Sequence, residues 1–331
     1  MASRSKPSLL EATSTLSLEN GSSDRFVGKI SRDWCTQHSV LGGYLTALML
    51  AAARKYTSIE SGDRLKYPDP VHVFTQFLRK VPPGQVSVSC KTLRATSRLC
   101  VVKVELELPE ESKPGHSQPQ LSPACIAIAT FANMEKESGL TQGRADSYSS
   151  GALLAPLPSR EKECVTIDDP VVDATPVTRK LHWVAPRSAD GLWGHRLGGH
   201  QREVWLSFRD GTAISDLLHL ALLADMYGQS LANAHQSRRS MKPLQPPATH
   251  TAGFYTRHAL STLCLAVEFK KRPDPSTKWV LVRSNSHKVA DGRYDANVQI
   301  LSDDGEILAL GNHVLYISDL KGEKEAKTSK M

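Results

Sequence analysis

Apolar and polar positions divide the chain into two similar programmes. Gly42 to Tyr56 (GGYLTALMLAAARKY) has no proline, is rich in Ala, Leu and Met, and predicts a buried helix entered through the pair Gly42-Gly43. Four β-branched runs follow, Val71–Arg79, Val86–Arg94, Leu99–Leu108 and Ala124–Asn133, separated by Pro, Gly and Ser turns, and they predict an antiparallel sheet. The second half runs the same course. A strand at Arg202–Phe208 leads into a helix over Ile214–Ala234, then strands at Thr262–Phe269, Trp279–His287, Tyr294–Leu301 and Ile307–Ile317. In this second helix Leu217, Leu218, Leu220, Ala221, Leu222, Leu223 and Ala224 leave little polar face, as a helix wrapped by a curved sheet requires.

One stretch ties the halves together. Gln76–Gly84 (QFLRKVPPG) returns as Glu268–Ser276 (EFKKRPDPS), 192 residues later, as an apolar strand end, an aromatic, basic residues and a proline turn. The repeat predicts one bend in two copies of one domain. The fold class that follows is α+β, a tandem (double) hot dog in which each long helix is wrapped by its own curved antiparallel sheet. The expected organisation is a disordered Ser-rich N-terminus over 1–24, an N-terminal hot dog over 25–135, a linker over 136–180, a C-terminal hot dog over 181–318 and a flexible charged tail over 319–331.

Composition narrows the function classes. The 331 residues, 40% of them apolar, suffice for one large core or two ordinary domains. The longest apolar run, Tyr44–Ala53, is about half of a bilayer-spanning helix, and the first residues carry no apolar signal segment, so neither membrane nor secretory route is expected. Six scattered cysteines without a C-x-x-C pair suggest reduced thiols and no metal site. A net charge of +7 with only 6% aromatic residues, its basic residues spread out, fits a generally basic enzyme for anionic substrates better than a nucleic-acid binder. No G-x-S-x-G elbow and no H-E-x-x-H pair occurs, which argues against a serine nucleophile and a catalytic metal, and no cofactor is expected.

Several segments together carry a resemblance: SVLGGYLTALML at Ser39–Leu50, QFLRKVPPG followed by TLRATSR, and QREVWLSFRDG at Gln201–Gly211 leading into LLHLALLADM. In order and spacing the chain resembles the type II, double hot dog acyl-CoA thioesterases, in their fungal thioesterase-like branch, over roughly residues 25 to 318. That family has a glycine in the tight turn of TLRATSR, where this chain has Ala95 and Thr96.

The resemblance implies a water oriented by an Asp, a Thr and a Gln of the second hot dog. The Asp falls on Asp225, already unusual by itself because seven of the eight residues before it are apolar. The Thr falls on Thr262, and the Gln position holds His313, an imidazole able to accept from or donate to the water and, near pH 7 to 8, to act as a base itself, or else a mark of lost hydrolysis with acyl binding kept. Backbone N–H groups at a helix N-terminus, near Gly42 and Gly43 or near Ser215 and Asp216, are the candidate oxyanion donors. Arg79, Lys80, Lys270, Lys271, Arg272, Arg238 and Arg239 are candidates for the phosphates of CoA.

The expected function is hydrolysis of an acyl-CoA to free acid and CoA by direct water attack. The alternative is a non-hydrolytic double hot dog that binds acyl thioesters in a biosynthetic pathway, with hydratase activity a weaker third. Exposed sheet edges make a homo-oligomer an expected partner. Ser329-Lys330-Met331 is a one-residue variant of the Ser-Lys-Leu address and implies a peroxisomal import receptor, with the cytoplasm as the alternative location.

Overall fold

The N-terminal segment, expected to be disordered through residue 24, is folded from Pro7 onwards in the computed structural model. The structure describes residues 7–36, 39–60, 66–109, 121–140, 155–167, 175–187, 201–226 and 258–319. Ser8 starts helix α1 (Leu9–Ser14) with a capping box: its hydroxyl accepts the Glu11 N–H while the Glu11 carboxylate accepts the Ser8 N–H. Leu9, Ala12 and Leu16 are buried, so a short apolar stripe anchors a segment whose serines suggested freedom. Strands β1 (Ser17–Leu18) and β2 (Arg25–Ile30) then open the sheet.

The N-terminal hot dog consists of β2, helix α2 (Gly42–Glu60) and strands β3 (Asp69–Phe77), β4 (Gly84–Ala95), β5 (Cys100–Pro109) and β6 (Leu121–Ala132), paired in the order β2-β4-β5-β6-β3. Along β5 every second residue is buried, so Cys100, Val102, Val104, Leu106 and Leu108 form the face that wraps α2. The β4–β5 turn needs no glycine. Thr96 closes it instead, its hydroxyl accepting the N–H groups of Arg98 and Leu99.

The expected linker over 136–180 is partly sheet. Strand β7 (Cys164–Thr166) pairs with β8 (Leu181–Pro186), which joins β9 (Gln201–Phe208). Ala155 and Cys164 of this segment pack with Trp205, Leu281 and Leu301, and Trp205 Nε1 donates to the Pro156 carbonyl over 2.9 Å. The far side of these strands is itself apolar and has to be covered, which is why the connection is drawn into the fold.

The C-terminal hot dog continues with helix α3 (Leu217–Leu223) and strands β10 (His258–Phe269), β11 (Val280–Asn285), β12 (Val289–Ala290), β13 (Arg293–Leu301) and β14 (Ile307–Asp319). The two sheets fuse through β3 and β10 into one sheet of 14 strands. The register at this seam explains the sequence repeat. Cys264 faces Gln76 and Glu268 faces His72, while Phe74 faces Ala266. A local two-fold between Phe74 and Ala266 exchanges residues 192 apart, the spacing of the repeated stretches. Phe77 and Phe269 are therefore counterparts.

Helix α3 is shorter than the periodicity suggests. It ends at Leu223, and the Asp225 N–H reaches back only to the Leu222 carbonyl over 3.3 Å, so Asp225 lies in the turn beyond the helix instead of inside it. The rest of the expected helix to Ala234, the loop with Arg238 and Arg239, and Ser329-Lys330-Met331 lie outside the described residues. All six cysteines are thiols, five of them buried and Cys264 half-buried. Among the described residues no helix is long and apolar enough to cross a membrane.

Candidate active site

The two helices run past each other so that the start of α2 meets the end of α3. Two glycines make this approach possible. A Cβ on Gly43 would lie 2.6 Å from the Leu222 carbonyl oxygen and 2.8 Å from Asp225 Cβ, closer than any side chain tolerates. With that space open, the Gly43 N–H donates to Asp225 Oδ2 over 2.8 Å. An anionic side chain thus sits at the positive end of a 19-residue helix contributed by the other repeat.

The opposite end of the helix pair is closed differently. Asp216 caps α3 by accepting the Leu218 N–H, and the Asp216 N–H donates to His219 Nδ1, a capping box with histidine in the usual Glu place. Arg54 of α2 then grips Asp216 with two bonds of 2.9 and 3.1 Å. Burial pushes Asp216 up, but the Arg54 guanidinium outweighs it and holds the carboxyl below its ordinary value. That end is a structural ion pair; among the described residues no such arginine or lysine pairs with Asp225.

Asp225 is nearly enclosed, its side chain 6% exposed. Burial pushes its carboxyl up to about 7, against the opposing pull of the Gly43 N–H. From β14, His313 brings Nε2 to 3.6 Å from Asp225 Oδ1. Burial drives this imidazole down to about 3, the Ala296 carbonyl opposing the effect, so His313 is neutral at physiological pH. The contact is therefore between a carboxyl and a neutral ring, longer than a hydrogen bond and not a salt bridge. A ring that resists protonation this strongly is a poor proton acceptor near neutral pH, which weighs against the expectation that His313 serves as a base there.

Thr262 reaches the same face of the sheet through an irregularity that the sequence did not announce. Simple alternation from the buried Leu265 would turn residue 262 outward. A bulge at Leu263 resets the alternation and puts Thr262 opposite Leu315, which is buried on the helix side two residues beyond His313. The bulge carbonyl is held by Gln76 of the neighbouring repeat, whose Nε2 donates to the Leu263 oxygen over 2.8 Å. Gln76 belongs to the repeated stretch, yet nothing in its sequence neighbourhood signals this role.

The basic candidates fare unevenly. Arg79 donates to the Leu108 and Ser122 carbonyls and to the Ser122 hydroxyl, bracing β5 against β6. Lys270 pairs with Glu268 and Lys271 with Glu306. Arg272 clasps the buried Asp69 with bonds of 2.7 and 2.8 Å and also pairs with Glu135, tying the second repeat to the first. These four cations have partners within the fold, while Lys80 is exposed. Among the described residues no three metal-ligating side chains gather.

The arrangement offers a base in an apolar setting beside a helix N-terminus, with a neutral imidazole and a hydroxyl on the facing sheet. Comparison with known proteins points the same way. The N-terminal domain of the acyl-CoA thioesterases matches residues 30–132 and their C-terminal domain matches residues 161–317, together more than half of the chain. No curated protein matches the chain. Among solved structures, a hot dog protein of Alicyclobacillus acidocaldarius superposes with a TM-score of 0.65 at 16% identity, over 95% of this chain and 98% of that one. An acyl-CoA thioesterase II of Mycobacterium marinum gives 0.63 at 16% identity, over 95% of this chain and 99% of that one. The tesB protein of Mycobacterium avium subs paratuberculosis gives 0.57 at 18% identity, over 94% of this chain and all of the other (100%). At these identities the superpositions speak for a shared double hot dog fold, and the two domain matches, in the order of the two repeats, establish that the chain belongs to the acyl-CoA thioesterase family.

Proposed function

We propose that the protein hydrolyses an acyl-CoA to the free acid and CoA by direct attack of water, with Asp225 as the base. The observation that carries this reading is the buried Asp225 carboxyl, raised to about 7 and held by the Gly43 N–H at the head of α2. A base is most useful when its pKa lies near the working pH, because it is then both ionised and able to take a proton. In the proposed reaction the Asp225 carboxylate removes a proton from water as the water oxygen bonds to the thioester carbon. The tetrahedral oxyanion collapses with cleavage of the C–S bond, and the departing thiolate takes up the proton.

His313 and Thr262 serve as neutral hydrogen-bonding groups that orient the water, the imidazole in the role of the family's amide. The N-terminus of α2 is stripped of side chains at Gly42 and Gly43, and its dipole favours the oxyanion. The Gly43 N–H is directed at Asp225 before reaction, so oxyanion stabilisation falls first to the helix end as a whole. Among the described residues, Lys80 is the candidate for the CoA phosphates that has no partner assigned above. Peroxisomal turnover of the substrate rests on Ser329-Lys330-Met331 alone, and deleting that tripeptide from a fluorescent fusion tests it.

Thiol release from short, medium, long and aromatic acyl-CoAs, followed with wild type and Asp225→Asn, tests the hydrolase. Turnover by wild type that is lost in the variant supports it. Binding of acyl-CoA without release of thiol would instead favour a non-hydrolytic thioester-binding protein, the reading to which the His313 replacement lends its weight.

A further inference from the structure

The aromatic of the repeated stretch stands at the site. A Cβ placed on Gly42 would lie 2.9 Å from Phe77 Cζ and 3.0 Å from Asp225 Oδ2, so the edge of the ring and the carboxylate oxygen flank one empty point. Phe77 ends β3 of the N-terminal hot dog and packs, half-buried, against the main core. Its counterpart Phe269 is 3% exposed in the C-terminal repeat. The two-fold therefore supplies the same ring twice, and the Phe77 copy lies beside the Asp225 carboxylate.

We propose that Phe77 is a positioning residue of this site: its ring, reaching over the bare Cα of Gly42, walls one side of the Asp225 carboxyl from bulk water and leaves the reacting water the side facing His313. The proposal takes its catalytic meaning from the hydrolase reading, but the wall is a property of the fold. Among the described residues, the groups that face the carboxyl are the Gly43 N–H from α2 and the neutral ring of His313 from β14, and Phe77 from β3 adds no charge. Neither polar neighbour favours the protonated carboxyl through charge. Burial is what raises Asp225, and the Phe77 ring, which flanks the space over Gly42 together with the carboxylate oxygen, is an apolar piece of its surroundings that the other repeat provides.

The test uses the full chain carrying Phe77→Ala, and Phe77→Gln, which keeps bulk but replaces the apolar edge with an amide. The Asp225 carboxyl is titrated by carbon NMR with labelled aspartate, its resonance assigned by its loss in Asp225→Asn. Both variants are expected to lower the midpoint by about one pH unit, a fraction of the range open to buried carboxyls, and Phe77→Leu to leave it near the wild-type value. The acid limb of kcat/KM should move down with it. A midpoint unchanged in Phe77→Ala and in Phe77→Gln overturns the proposal. A midpoint that moves in a protein releasing no thiol from any acyl-CoA upholds the wall and removes the hydrolase, so the two fail separately.

Discussion

The backbone N–H of Gly43 donates to Asp225 Oδ2 across the junction of the two repeats, 182 residues apart in sequence. One repeat supplies the helix end and the other the carboxylate, so neither hot dog alone contains the site. Asp225→Asn keeps the size of the side chain and an oxygen for the Gly43 bond while removing the base. Thiol release from the best acyl-CoA substrate should fall by about two to four orders of magnitude, with an unchanged circular dichroism spectrum showing that the fold persists.

The pH dependence of the rate should show one rising limb near pH 7. In the proposed reaction Asp225 works as the ionised base and is raised to about 7, whereas His313, pushed down to about 3, adds no limb in this range. His313→Gln should retain hydrolysis with the limb in place, since an amide can orient water as a neutral imidazole does, and His313→Leu should lose it. A limb that disappears in His313→Gln would make the histidine the base.

Stability should respond to the same carboxyl in the opposite sense. The folded state holds the Asp225 proton up to about 7 while the unfolded chain releases it near the ordinary 3.8. This contribution is complete below about pH 4 and is lost as pH rises to about 7. His313 and His219, lowered by burial to about 3 and about 4, act the other way: their contribution is present above their ordinary 6.5 and is lost as pH falls. Thermal melts of wild type and Asp225→Asn separate the two, and the variant should gain relative stability as pH climbs from 4 towards 8.

Glycine substitutions should divide by the space behind them. Gly43→Ala drives a Cβ to 2.6 Å from the Leu222 carbonyl, a backbone atom that cannot swing aside. It should cost about 1–3 kcal/mol in denaturant unfolding and most of the activity. Gly311→Ala, whose Cβ would meet Val298 at 3.4 Å and His313 at 3.8 Å, should fold nearly as well as wild type.

Local patterning in the chain was sufficient for much of this molecule. Helix α2 is apolar on every side because the sheet wraps it, the strands alternate because one face is buried, and the 192-residue echo of an aromatic and a basic turn reported the internal two-fold. Asp225 could be singled out because a carboxylate after a run of leucines has no ordinary reason to be there. The placement of α1 and β7 escaped the same reading, since what holds them is apolar surface presented by distant strands. The bulge that turns Thr262 inward, the commitment of Arg272 to Asp69, the pairing of Asp216 with Arg54 and the bond from the Gly43 N–H to Asp225 are contacts across tens to hundreds of residues. The charge state of a histidine at position 313 likewise depends on tertiary structure, because burial sets the cost of charging it. Sequence determines which side chains are available and which face of an element is apolar. The environment that sets their chemistry exists only after the two repeats close on each other.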